Sequence, residues 1–98
     1  MNRKIRSKEL DNLFEAILSL QTVDECYRFF EDIGTISEVQ AFSQRFEVAK
    51  MLKEGRKYTE IAQATGASTA TISRVSKSLN YGADGYNIVL ERLKKEND

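Results

Sequence analysis

Between Tyr58 and Lys77 the chain reads YTEIAQATGASTATISRVSK, and its polar residues recur at a spacing that suits contact with a nucleic acid. If the second half of this stretch is helical, Ala70, Ser73, Arg74 and Lys77 share one face at the helical period of about 3.6 residues. Arginine and lysine on that face can reach base edges and phosphates. A residue as small as Ala70 also lets a helix come close enough to touch a thymine methyl. Thr69 and Thr71 lie at the start of the same helix, where hydroxyls and backbone N–H groups can meet phosphate, and Ser68 or Thr69 supplies its cap.

Little other chemistry is available. The 98 residues contain no histidine and one cysteine, Cys26. Zinc sites of the His/Cys type, internal disulfides and Ser-His or Cys-His catalytic pairs are therefore excluded by inventory. Glu47 and Glu54 are carboxylates without catalytic company, and Gly82 and Gly85 are too isolated to cradle a nucleotide. The expectation is a protein that is not an enzyme, holds no metal and needs no cofactor. No apolar run approaches the roughly 18 residues of a membrane span, and no apolar segment follows the basic N-terminus as a signal peptide requires. A cytoplasmic location is the default.

A polar row can do this work only if two short helices hold it, and the apolar residues of the same stretch are spaced for that. Ala62 is followed by Gly66, then Ile72, then Val75. Two helices crossing steeply need a small residue where they touch, which Ala62 supplies. The turn needs a residue able to take positive φ, which Gly66 supplies. Ile61, Ile72, Val75 and Leu79 then face inward, leaving the polar row outside. The spacing predicts a helix-turn-helix over about 58–79. The competing interpretation is a plain helical hairpin with solvated polar residues.

The remaining elements also read as helices, and the absence of proline favours short connections between them. Leu10, Leu13, Phe14, Ile17 and Leu18 mark a first helix, capped by Ser7. Thr22 and Glu25 open a second by a capping box. Its stripe is Val23, Cys26, Tyr27, Phe30 and Ile33, with Cys26 as a small core residue and Gly34 as a left-handed stop. A third helix starts at Thr35 with Glu38, or at Ser37 with Gln40, and runs to about Glu54 before Gly55. Phe42, Phe46 and Ala49 form one stripe on it, widened by Ala41, Val48 and Leu52. From Asp84, the residues Tyr86, Val89, Leu90 and Leu93 form a last amphipathic face. A helix apolar on more than one side is usually enclosed on several. One chain of this length has little to enclose helices one to three with, so a second copy is expected.

Hydrophobic residues make up 41% and charged residues 31%, a globular balance that fits one domain over 1–98. The net charge is zero, which counts mildly against a nucleic-acid partner. Its distribution weakens that objection. Arg3, Lys4, Arg6 and Lys8 open the chain without an acid, while residues 9–38 hold eight acids against Arg28 alone. Arg45, Lys50, Lys53, Arg56 and Lys57 then outnumber Glu47 and Glu54. A DNA-facing surface would be local. The alternative function is a helix-turn-helix reused as a protein interaction module, whose binding need not fall steeply with salt as phosphate contacts do.

The stretch IAQATGASTATISR at 61–74 resembles the Trp repressor family. Ser68-Thr69, Thr71-Ile72-Ser73-Arg74 and the later Gly82 to Tyr86 resemble its YerC/YecD branch in particular. Thr35 through Glu38, Arg45, Leu52 and Gly55 fall in register, and the likeness weakens over the first two helices. The resemblance implies an all-α fold of about six helices, in which two chains interlock and a helix-turn-helix projects from each side. It implies double-stranded DNA as partner, a homodimer, a pseudo-palindromic site and a role as transcriptional regulator, most simply a repressor. Basic residues of the family's first motif helix align with Thr59 and Ala62, so Thr59 is expected on the DNA side but with fewer phosphate contacts nearby. The family's ligand pocket aligns with Thr35, Arg45, Arg74, Val75 and Ser78. Two arginines that flank the ligand ring in the Trp repressor are kept as Arg45 and Arg74. The residue after the second is glycine there and Val75 here, so the pocket is expected to be vestigial and tryptophan not to bind.

Overall fold

The computed structural model describes residues 5–97, so Arg3, Lys4 and Asp98 of the charged ends lie outside the described residues. The described residues form six helices and no strand: α1 (Lys8–Leu18), α2 (Val23–Ile33), α3 (Ile36–Lys53), α4 (Tyr58–Thr65), α5 (Thr69–Tyr81) and α6 (Gly85–Asn97). The expected all-α architecture is what the chain adopts. Contacts divide it into two compact units, with the boundary after Val39 inside α3.

In the first unit the helix starts follow from local chemistry. The N–H of Leu10 donates to Ser7 Oγ at 3.1 Å and that of Glu25 to Thr22 Oγ1 at 3.0 Å, so hydroxyls satisfy donors that a helix leaves orphaned. Of the two possible starts of α3 the molecule uses Thr35. Its Oγ1 accepts from the Glu38 N–H at 3.1 Å, and Glu38 Oε1 accepts from the Thr35 N–H at 2.8 Å, a reciprocal capping box. The bond from the Thr35 N–H, then the one with its side chain, holds the Glu38 carboxyl below the usual glutamate range. A carboxyl so lowered adds stability above its unfolded-state pKa and loses it as the pH falls through the folded value. Acidification below the ordinary glutamate range should therefore loosen the start of α3. Replacing Thr35 by alanine should cost about 0.5–2 kcal/mol at neutral pH, while most of that acid dependence persists, because alanine keeps the backbone N–H that is its larger cause. Urea unfolding of parent and variant between pH 3 and 7 checks both, and a variant as stable as the parent at neutral pH would show that the Thr35 hydroxyl does not cap α3.

Two expectations fail in this unit. Gly34 is extended (φ −122°, ψ 160°), so it is no left-handed stop. Its lack of a side chain serves close packing instead, since a Cβ there would lie 3.2 Å from Val39 Cγ2. Cys26 is exposed and not a core residue. The reason is general to α1 and α2, which contain no buried side chain. Leu18 is 83% exposed, Val23 74% and Tyr27 66%. Amphipathic helices that leave such residues in water have apolar faces without a partner.

The second unit holds the core. Val48 and Ala49 of α3, Ile61 of α4, Ala67 of the turn, and Ile72 and Val75 of α5 are buried together, with Leu52, Leu79, Tyr86 and Leu90 packed around them. The inward set read from the 58–79 spacing thus forms the contact between α4, α5 and α3.

Candidate nucleic-acid interface

The crossing of α4 and α5 is fixed by a tightly bonded turn. Gly66 ends α4 in the left-handed region (φ 74°, ψ 6°), a conformation that costs a residue with a Cβ and costs glycine little. Thr65 braces the turn on both sides. Its hydroxyl donates to the Ile61 carbonyl at 2.7 Å and accepts from the Ala67 N–H at 3.1 Å. Gln44 of α3 donates to the Thr65 carbonyl at 3.1 Å, tying the turn to the longest helix. Sequence reasoning missed Thr65, Ala67 and Gln44. A Thr-Gly-Ala turn was a visible signal for the first two, whereas Gln44 lies 21 residues from its partner.

Helix α5 begins on Ser68, whose Oγ accepts from the Thr71 N–H at 3.1 Å and donates to Thr71 Oγ1 at 3.1 Å. Ser68, and not Thr69, is therefore the cap. Thr71 is half-buried, while Thr69 stays exposed. Ala70, Ser73, Arg74 and Lys77 are all exposed, opposite the buried Ile72 and Val75. Among the described residues neither Arg74 nor Lys77 takes part in an ion pair. Two unpaired cations and small polar residues on an unencumbered helix face can reach into a groove and meet phosphates on its walls. Thr59, in the first turn of α4, is exposed as well.

The residues aligned with a ligand pocket are only partly brought together. Arg45 and Ser78 line an open groove of about 610 Å³ in the second unit, beside Phe42, Phe46, Tyr86 and Val89. The Arg45 guanidinium carbon lies 5.1 Å from the centre of the Phe42 ring, within range of a cation–π contact. Arg74 and Val75 do not line this groove. Val75 is 1% exposed and belongs to the core. Thr35 falls in the first unit, where it caps α3.

Residues 8–94 match the family model described as Trp repressor protein. The chain belongs to the Trp repressor family. Among its relatives, this family member is 59% identical to the uncharacterized protein YerC of Bacillus subtilis, over 94% of this chain and 88% of that one. It is similar in structure to a TrpR-like protein from Eubacterium eligens, with a TM-score of 0.91, 61% identity and coverage of 95% of this chain and 96% of that one. A Staphylococcus aureus protein provisionally described as a Trp repressor gives a TM-score of 0.89 at 53% identity, covering 93% and 91% of the two chains. The Trp repressor-like fold and the likeness to YerC read from residues 61–86 both stand. Among the described residues of this Trp repressor-family chain, no three His, Cys, Asp or Glu side chains are grouped to hold a metal ion. No helix among them is long and apolar enough to cross a membrane.

Proposed function

We propose that the chain is a sequence-specific transcriptional regulator that binds duplex DNA as a homodimer, in the cytoplasm, and acts most simply as a repressor. The observation that carries this reading is the outer face of α5: exposed Ala70, Ser73, Arg74 and Lys77 above a buried Ile72 and Val75, with both cations unpaired among the described residues. Family membership supports the regulator class. The bare apolar faces of α1 and α2 support a second copy. A two-fold axis would set two α5 helices against successive major-groove faces, about one helical turn or roughly 34 Å apart, and the site would be a pseudo-palindrome. No catalytic role is proposed.

Selection of bound duplexes from a random pool tests this directly, with the enriched sequence expected to show two inverted half-sites. On the selected duplex, Arg74→Ala and Lys77→Ala should each weaken binding by about 1–3 kcal/mol if the lost contact is to a base, relaxing one position. A lost phosphate contact would mainly lower the salt slope. Circular dichroism should show both variants folded. If both bind like the parent, α5 does not read the DNA. A random pool from which no duplex is enriched would instead favour a protein interaction module.

A further inference from the structure

The turn from α5 into α6 is more constrained than a connection needs to be. Asp84, just before α6, has φ 71°, and among the described residues it is the only one with a side chain in the left-handed region. Asn87, in the first turn of α6, uses both protons of its amide. Its Nδ2 donates to Asp84 Oδ1 at 3.0 Å and to the carbonyl of Leu79, in the last turn of α5, at 3.0 Å. Both partners are acceptors, so the amide cannot be turned round. Its Oδ1 is left buried without a partner among the described residues, which costs stability. A left-handed aspartate and an unpaired buried oxygen are two local costs at one turn. Such costs collect where position matters more than stability.

What the bridge holds is the angle between α5 and α6. Helix α5 carries Arg74 and Lys77 on its outer face. Helix α6 packs Tyr86 and Leu90 against the core, while Ile88, Val89 and Leu93 are exposed, as uncovered as the apolar residues of α1 and α2. That second face assigns α6 to the contact with the second copy. In a two-fold dimer meeting through α6, the distance and angle between the two α5 helices follow from the α5–α6 junction. We propose that Asn87 is a positioning residue: through Asp84 and the Leu79 carbonyl it fixes α5 against α6, and so sets the half-site spacing that the dimer accepts. This rests on the reading of the chain as a homodimeric DNA-binding protein.

The test replaces Asn87 by alanine, with Leu90→Val as a control that loosens the packing of α6 without touching the bridge. Affinity is measured on the selected duplex, on versions with one base pair added or removed between the half-sites, and on a single half-site. Each base pair moves the second half-site by about 3.4 Å and turns it by about 35°. The parent should bind both altered duplexes more weakly than the selected one. In Asn87→Ala that difference should shrink toward none, while affinity for the single half-site stays the parent's, because Arg74 and Lys77 are untouched. Leu90→Val should keep the parent's preference. Asp84→Gly removes one acceptor but suits the positive φ, so it decides the matter if Asn87→Ala does not fold. It should relax the spacing in the same direction. A folded variant with the parent's spacing preference overturns the proposal alone, as does an equal relaxation in Leu90→Val or a parent indifferent to spacing. A changed half-site affinity in Asn87→Ala also overturns it, since the residue would then act on the reading itself. A parent that enriches no duplex overturns it together with the DNA-binding reading, and the two failures are thereby told apart.

Discussion

Placing a single aspartate at Leu18 or Tyr27 should unfold this protein or strip it of its partner, although neither side chain is buried within one chain. Leu18 is 83% and Tyr27 66% exposed there. A surface substitution at such a site would ordinarily change stability by no more than about 0.5 kcal/mol. The expectation differs here because α1 and α2 present apolar faces that one chain does not cover, and a second copy is the proposed cover. A carboxylate buried at an apolar interface without a partner costs several kcal/mol, and two-fold symmetry applies the loss twice. In an obligate dimer that penalty appears as unfolding, because folding and association are one equilibrium. The parent should scatter light as a species of twice the 11.2 kDa chain mass at micromolar concentration, with a melting temperature that rises with protein concentration. Leu18→Asp should melt far lower or be unfolded. A folded parent monomer at micromolar concentration would remove the dimer and with it the palindromic site, whereas an aspartate variant with the parent's stability would place that residue outside the interface.

Val75→Gly should lower stability by about 2.5–4 kcal/mol. The sum comes from about 1.5–3 kcal/mol for a buried valine side chain and about 1 kcal/mol for glycine inside a helix. Val75 is 1% exposed among Val48, Ala49, Ile61, Ala67 and Ile72, so its two methyl groups occupy a filled contact. The same observation leads us to expect that free tryptophan is not an effector. An indole between Arg45 and Arg74 needs room over α5, and moving a packed valine aside typically costs about 1–3 kcal/mol. The parent should show no melting shift in millimolar tryptophan beyond that in a control amino acid. A ligand at about a hundred times its dissociation constant would stabilise by about 2.7 kcal/mol, a shift easily seen. Such a rise would mean that the pocket survives Val75. A Val75→Gly variant as stable as the parent would mean that the valine is not the core residue its burial indicates.

The helix-turn-helix was legible because its constraints are local. Ala62, Gly66, Ile72 and Val75 lie within 14 residues of one another, and each answers a requirement that a neighbour along the chain sets. The outward face of α5 followed from the same periodicity, and the caps at Ser7 and Thr22 from hydroxyl residues just ahead of apolar runs, whereas only the structure decided for Ser68 over Thr69. Gly34 was misread because two physical reasons for glycine look identical in a sequence. Only the approach of Val39 separates close packing from positive φ. Gln44 was invisible because its partner, the Thr65 carbonyl, is a backbone atom with no residue signature.

Burial marks the deeper division between what the chain alone determined and what the tertiary structure decided. Periodicity assigned apolar faces to all six helices, and on that evidence Cys26 and Val75 were both plausible inward residues. Packing separates them: Val75 has α3 and α4 to close over it, whereas nothing within one chain buries a side chain of α1 or α2. A helical pattern encodes which face is apolar, since that depends on the angle between residues along one helix. It does not encode what covers that face, because covering atoms come from distant segments. The alignment of Thr35, Arg45, Arg74, Val75 and Ser78 had the same limit. Residues in register need not converge, and here Arg45 and Ser78 share a groove while Val75 went to the core, where the hydrophobic return on two methyl groups is greatest.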